Sequence, residues 1–165
     1  MRRRGAANLL IIATLAMPSI LIVAHAPLAT ALRSVADHVY AERCRTVECV
    51  DVLPGTTLAA AEAQVTAAID RLGEGQVLIM VDVFGATPCN AALAAADGRA
   101  ARVVAGVNVP MLWRTLCYAD VPLEDLVARA VAGAAHGVMQ VSVPRRQNQP
   151  VPPQTNDQVV HQHQQ

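Results

Sequence analysis

There is no lysine in this chain; all 13 basic residues are arginine. Aromatic residues are nearly missing at 2%, with one Trp, one Phe and two Tyr. Charged residues reach only 16%, against about 25% in an ordinary globular domain. A core without large rings must take its volume from Ala, Val, Leu and Ile in closely packed elements, and 53% of residues are hydrophobic. An excess of positive charge is missing too. The net charge is zero, and between Pro18 and Val143 8 arginines face 12 carboxylates, a net of −4. That sign argues against nucleic acid as a partner, since phosphates need a basic surface. The four cysteines, Cys44, Cys49, Cys89 and Cys117, form no Cys-x-x-Cys pair. They suit neither a zinc site nor a disulfide scaffold, and buried reduced thiols are expected. No Gly-x-x-x-x-Gly-Lys or Gly-x-Gly-x-x-Gly loop occurs, so nucleotide binding has no support. No metal and no cofactor are expected.

What is present begins with a hydrophobic amino terminus. Three arginines, an apolar run and Ala24-His25-Ala26 have the order of a secretory signal with a small-x-small cleavage site. The run Leu9 to Ala24 is 16 residues long, short for a membrane span. Pro18 divides it differently. Residues 1–17 become a leader or an over-extended start, with Met17 an alternative first residue, and Ser19 to Ala24 becomes a buried strand.

From there the pattern alternates. Ile20 to Ala24 is a continuous apolar strand. Leu28, Leu32, Val35 and Val39 then form a helical stripe behind Pro27. Thr46 to Leu53 predicts a second strand, closed by Pro54-Gly55. Thr56 or Thr57 caps a helix to Leu72, with Leu58, Ala61, Val65, Ala68, Ile69 and Leu72 inward. Val77 to Val81 is the clearest strand. The loop from Asp82 to Pro88 leads to an Ala-rich helix from about Cys89 to Ala96. Arg102 to Val107 predicts a fourth strand, and Pro110 to Tyr118 and Pro122 to Ala135 two more helices. Val138 to Val143 predicts a last short extended piece. Such alternation implies a parallel sheet covered by helices on both faces, a three-layer α/β/α sandwich of four strands plus a carboxyl-terminal edge strand. The tail from Pro144 to Gln165 has four prolines, seven glutamines and no apolar period; its composition predicts disorder. The domain proper is therefore residues 18–143.

Ligands of such sheets bind beyond the carboxyl ends of the strands. His25 follows strand one and Asp82 follows strand three. If those strands are neighbours, a carboxylate on one ring nitrogen fixes the tautomer and frees the other as a nucleophile. Helices begin after Ala26 and around Pro88, so two helix N-termini are expected to face the same crevice, where an anion is favoured. Phosphoryl transfer suits this arrangement. A single histidine at a strand end is more often a satisfied surface or core residue, and an Asp before a glycine turn is usually a turn residue. His38, His136, His161 and His163 receive no role.

The stretch Val77-Leu-Ile-Met-Val-Asp-Val-Phe-Gly-Ala-Thr-Pro-Cys-Asn90, with Val104-Ala-Gly-Val-Asn-Val-Pro-Met-Leu112, closely resembles the IIA component of the mannose/fructose-type sugar phosphotransferase system. Ala24-His25-Ala26 occupies the place of that family's active histidine. The resemblance covers Ser19 to Val143. It implies that His25 accepts a phosphoryl group from the phosphocarrier HPr on Nε2 and passes it to a IIB component for carbohydrate uptake. It also implies that Asp82 orients His25 from Nδ1, with the Thr87 hydroxyl and the Gly85 and Ala86 backbone near the phosphate. A regulatory phospho-switch without sugar transport is the alternative it allows. Further implications are a cytoplasmic homodimer exchanging its last strand, and membrane contact only through IIC and IID components. Cleavage after Ala26 would remove the nucleophile, which reverses the signal reading. Two departures stand out: Ala26-Pro27 replaces a glycine context, and Gly85-Ala86-Thr87-Pro88 replaces Gly-Gly-Ser-Pro.

Overall fold

The computed structural model describes residues 17–44 and 47–143. The leader up to residue 16, Thr46 and the tail 144–165 lie outside the described residues, and with them the readings of a leader and of a disordered tail. Within that range the elements are β1 (Ser19–His25), α1 (Leu28–Cys44), β2 (Val47–Val52), α2 (Leu58–Leu72), β3 (Val77–Val81), α3 (Thr87–Ala96), β4 (Ala101–Ala105), α4 (Val109–Cys117) and α5 (Leu123–His136). All strand pairs are parallel, in the order β2-β1-β3-β4. The chain passes from β1 to β2 on one side and from β3 to β4 on the other. The order therefore reverses between β1 and β3, which is where doubly wound sheets open their ligand crevice.

Side-chain alternation along the central strands sorts the core into two layers. Ile20, Ile22 and Ala24 of β1 and Leu78 and Met80 of β3 pack with α1, α4 and α5. Leu21, Val23, Ile79 and Val81 pack with α2 and α3 on the opposite face. Every residue of β3 is buried, as a strand covered on both sides must be. Alanine supplies the closeness that the missing aromatics would have prevented: α3 buries Ala91, Ala92 and Ala95, and α2 buries Ala61 and Ala68.

Several sequence expectations change in detail. The buried face of α1 is Ala29, Leu32 and Ala36, whereas Leu28, Val35 and Val39 are 38%, 40% and 54% exposed. Small residues let the helix sit low on the sheet, so the larger apolar side chains flank the contact instead of filling it. Leu58 is likewise exposed. Thr57, not Thr56, caps α2, its side chain accepting from the Ala60 N–H at 3.2 Å. Helix α3 starts two residues early, at Thr87, with proline inside its first turn. Strand β4 stops at Ala105 because Gly106 turns the chain with φ +90°. Residues 138–143 form no strand in the single chain, and Val138, Met139, Val141 and Val143 are exposed. Cys44 and Cys89 are buried, but Cys49 is half-buried and Cys117 exposed.

Helices α4 and α5 meet at glycine. A Cβ on Gly133 would stand 2.7 Å from Arg114 Cβ and 3.1 Å from the Pro110 carbonyl, and one on Gly137 would collide with the Pro110 ring. Alanine at position 133 gains helix propensity worth about 1 kcal/mol at most, against an overpacking cost of about 1–3 kcal/mol. Gly133→Ala is therefore expected to lower unfolding stability in urea, and a stabilised variant would contradict the packing described.

Candidate functional site

Parallel register sets the site. Val23 of β1 is level with Val81 of β3, so His25 and Asp82 both emerge from the carboxyl edge of adjacent strands. Alternation places His25 on the face of Leu21 and Val23, the side covered by α2 and α3. The two side chains meet. His25 Nδ1 lies 2.6 Å from Asp82 Oδ2, and the same oxygen accepts the His25 backbone N–H at 2.8 Å. Asp82 Oδ1 accepts the Val83 N–H at 2.8 Å. Backbone and ring of one residue are thus held by a single carboxylate oxygen. The Asp82 side chain is 12% exposed and that of His25 55%.

Burial alone would push the Asp82 carboxyl up. The His25 N–H, the His25 ring and the Val83 N–H together outweigh that and hold it below the usual carboxylate range. An ionised carboxylate only accepts, so Nδ1 must carry the hydrogen. In the neutral ring Nε2 then keeps its lone pair, and the ring is open to solvent.

The two helix N-termini differ. At α1, Asp51 of β2 has taken the place an anion would fill: its Oδ1 accepts from the Ala29 N–H at 2.8 Å and the Thr30 N–H at 3.3 Å, and Oδ2 accepts the Thr30 hydroxyl at 2.6 Å. The Ala26 N–H donates to the Val52 carbonyl at 3.0 Å, and Pro27 has no N–H. The expectation of two free N-termini is corrected to one. Helix α3 has no side-chain cap at Ala86, and the orphan N–H groups of a first helical turn favour an anion. Thr87 opens that turn and is half-buried. Gly85 has φ +83°, which a side chain would strain, and its carbonyl accepts from Asn90 Nδ2 at 3.1 Å.

Support comes from the β4–α4 turn. The Gly106 N–H donates to the carbonyls of Val81 and Asp82 at 2.9 and 3.1 Å. Asn108 caps α4 by accepting from the Met111 N–H at 2.8 Å and donates to the Ala134 carbonyl at 3.3 Å. The Gly-Val-Asn-Val-Pro block therefore holds the Asp82 loop in place. After Asp82, Val83 and Phe84 are 51% and 79% exposed, and Leu28 at the start of α1 is 38% exposed.

A family model described as the PTS system fructose IIA component matches residues 19–131. The chain belongs to this family. The IIA chain also shares its fold with solved structures. The mannose/sorbose-specific IIA subunit from Enterococcus faecalis superposes with TM-score 0.72 at 22% identity, covering 78% of this chain and 98% of that one. Component EIIA from Streptococcus agalactiae gives 0.65 at 21% identity, covering 75% and 97%. The PTS IIA protein associated with the fucose utilization operon from Streptococcus pneumoniae gives 0.64 at 22%, covering 74% and 92%. No curated protein sequence matches significantly. This IIA chain is therefore a component of the sugar phosphotransferase system. Among its described residues, no helix is long and apolar enough to cross a membrane.

Two residues at this edge escaped the sequence reading. Asp51 looked like one polar position of an alternating strand, and only strand order puts it under α1. Phe84 carried a signal in plain sight, the chain's one phenylalanine placed two residues after Asp82.

The depressed Asp82 pKa has a stability consequence. Its contribution is complete above the unfolded carboxyl pKa of about 4 and is lost as pH falls through the lower folded value. The stability difference between the native chain and Asp82→Asn is expected to shrink as pH falls below about 4. Urea titrations across that range check it, and a difference that grows in acid would contradict it.

Proposed function

We propose that His25 accepts a phosphoryl group from phospho-HPr on Nε2 and hands it to a IIB component in carbohydrate uptake. The observation that carries this reading is the 2.6 Å contact of Asp82 with Nδ1 beside a ring that remains 55% exposed. Nε2 attacks phosphorus with its lone pair as the bond from phosphorus to the donor breaks. The hydrogen stays on Nδ1, donated to Asp82, throughout, and the carboxylate stabilises the positive charge that the ring gains. The free first turn of α3, with Thr87 and the Gly85 and Ala86 backbone, receives the phosphoryl oxygens. Asp51 closes α1 to them. The apolar rim of Leu28, Val83 and Phe84 is the surface on which each protein partner seats.

No metal or cofactor takes part, and neither does nucleic acid. The reading includes a cytoplasmic location, with membrane contact only through IIC and IID components. It also includes a homodimer in which residues 138–143 pair on the partner's sheet. A monomeric mass in sedimentation, unchanged by deleting residues 137–165, would count against the dimer.

Incubation with phosphoenolpyruvate, enzyme I and HPr, followed by mass-spectrometric mapping, tests the transfer. The expected product is one acid-labile, base-stable phosphohistidine at His25. His25→Ala abolishes it, while His38→Ala and His136→Ala leave it intact. Asp82→Asn keeps the fold and slows labelling by roughly 10²- to 10⁴-fold, by analogy with other orienting carboxylates. Label retained in His25→Ala would show that another residue is the nucleophile.

A further inference from the structure

We infer that the groove between α1, α4 and α5 is the docking site of this chain's own proline segment, Pro150-Val151-Pro152-Pro153. The groove has a volume of about 340 Å³ and is lined by Tyr40, Pro110, Trp113, Arg114, Cys117 and His136. None of the residues placed around His25 contributes to it. The chain has only four aromatic side chains, yet two of them converge here from different helices. Tyr40 sits where α1 departs from helical geometry, at φ −131° and ψ 40°, with its hydroxyl 2.8 Å from Cys117 Sγ. Trp113 is 38% exposed. An exposed tryptophan ring beside a half-buried tyrosine in a groove makes an aromatic lining of the kind that polyproline II segments occupy.

Hydrogen-bonding chemistry agrees. A polyproline II strand leaves its carbonyls unbonded, and proline offers no N–H, so such a segment is rich in acceptors and poor in donors. The groove is the reverse: the Trp113 indole, the Arg114 guanidinium and the His136 imidazole all carry N–H groups. Residues Pro150 to Gln154 carry no charge, so the Arg114 cation does not repel them. Gly137, where α5 ends, also lines the groove, and the segment begins 13 positions later. That length of chain reaches at most roughly 45 Å in the single chain, and where residues 138–143 pair on a partner's sheet the seven steps from Val143 to Pro150 reach roughly 24 Å, with a modest entropic loss on closure. Tethering gives an effective concentration on the order of millimolar, so contacts too weak to hold a free peptide suffice.

Trp113 is the chain's one tryptophan and reports its own cover. The experiment compares acrylamide quenching of the full chain with a full-length variant carrying Pro150→Ser, Pro152→Ser and Pro153→Ser, which keeps length and charge. If half of the molecules are docked at millimolar effective concentration, the quenching constant rises about twofold in the variant. Tyr40→Ala in the groove is expected to raise it similarly, and combining it with the tail changes to add nothing further. Protection in the native chain should not depend on protein concentration. Equal quenching of the native and triple-serine chains would overturn the proposal, as would protection that grows with concentration, which assigns the groove to a second copy.

Discussion

One carboxylate oxygen organises the functional edge of this protein. Asp82 Oδ2 receives both the ring and the backbone N–H of His25, and everything near it serves to keep that geometry. The contact exists only because β1 and β3 are adjacent and in register, which follows from the reversal of strand order at the centre of the sheet. Gly106 ties the β4–α4 turn to the carbonyls of Val81 and Asp82, so the backbone that carries the carboxylate is held as well. Its depressed pKa, won against burial by three donors, keeps it an acceptor and so sets which ring nitrogen is free.

The same economy of size runs through the layers. With few aromatics, the helices approach the sheet on alanine and approach each other on glycine at 133 and 137. On α1 the close contact takes Ala29, Leu32 and Ala36 and leaves Leu28, Val35 and Val39 at the surface. Composition therefore reaches the surface: the larger apolar side chains that a tight contact turns outward stand exposed along α1.

Strong local patterns were legible in the sequence, and long-range ones were not. Val77–Val81 is the same strand in both readings because a fully buried strand is a pure apolar run. His25 and Asp82 were legible as a pair, since ends of parallel strands collect at one edge. The face of α1 was misjudged because hydrophobic size ranks Leu and Val above Ala, while proximity to the sheet ranks them in reverse. Asp51 was invisible for a topological reason: its partners Ala29 and Thr30 lie 22 and 21 residues earlier. Only the pairing of β2 with β1 brings them together. The piece at 138–143 has strand composition but finds no pairing within one chain, and composition cannot name a partner.

The central claim is that Asp82, by holding Nδ1, directs the phosphoryl group to Nε2 of His25. Long-range ¹H–¹⁵N correlation spectra of the phosphorylated protein, read for coupling to phosphorus, test it most directly. The account predicts phosphorus bonded to Nε2 of His25, with Nδ1 protonated and hydrogen-bonded to Asp82. Phosphorus on Nδ1 would contradict it.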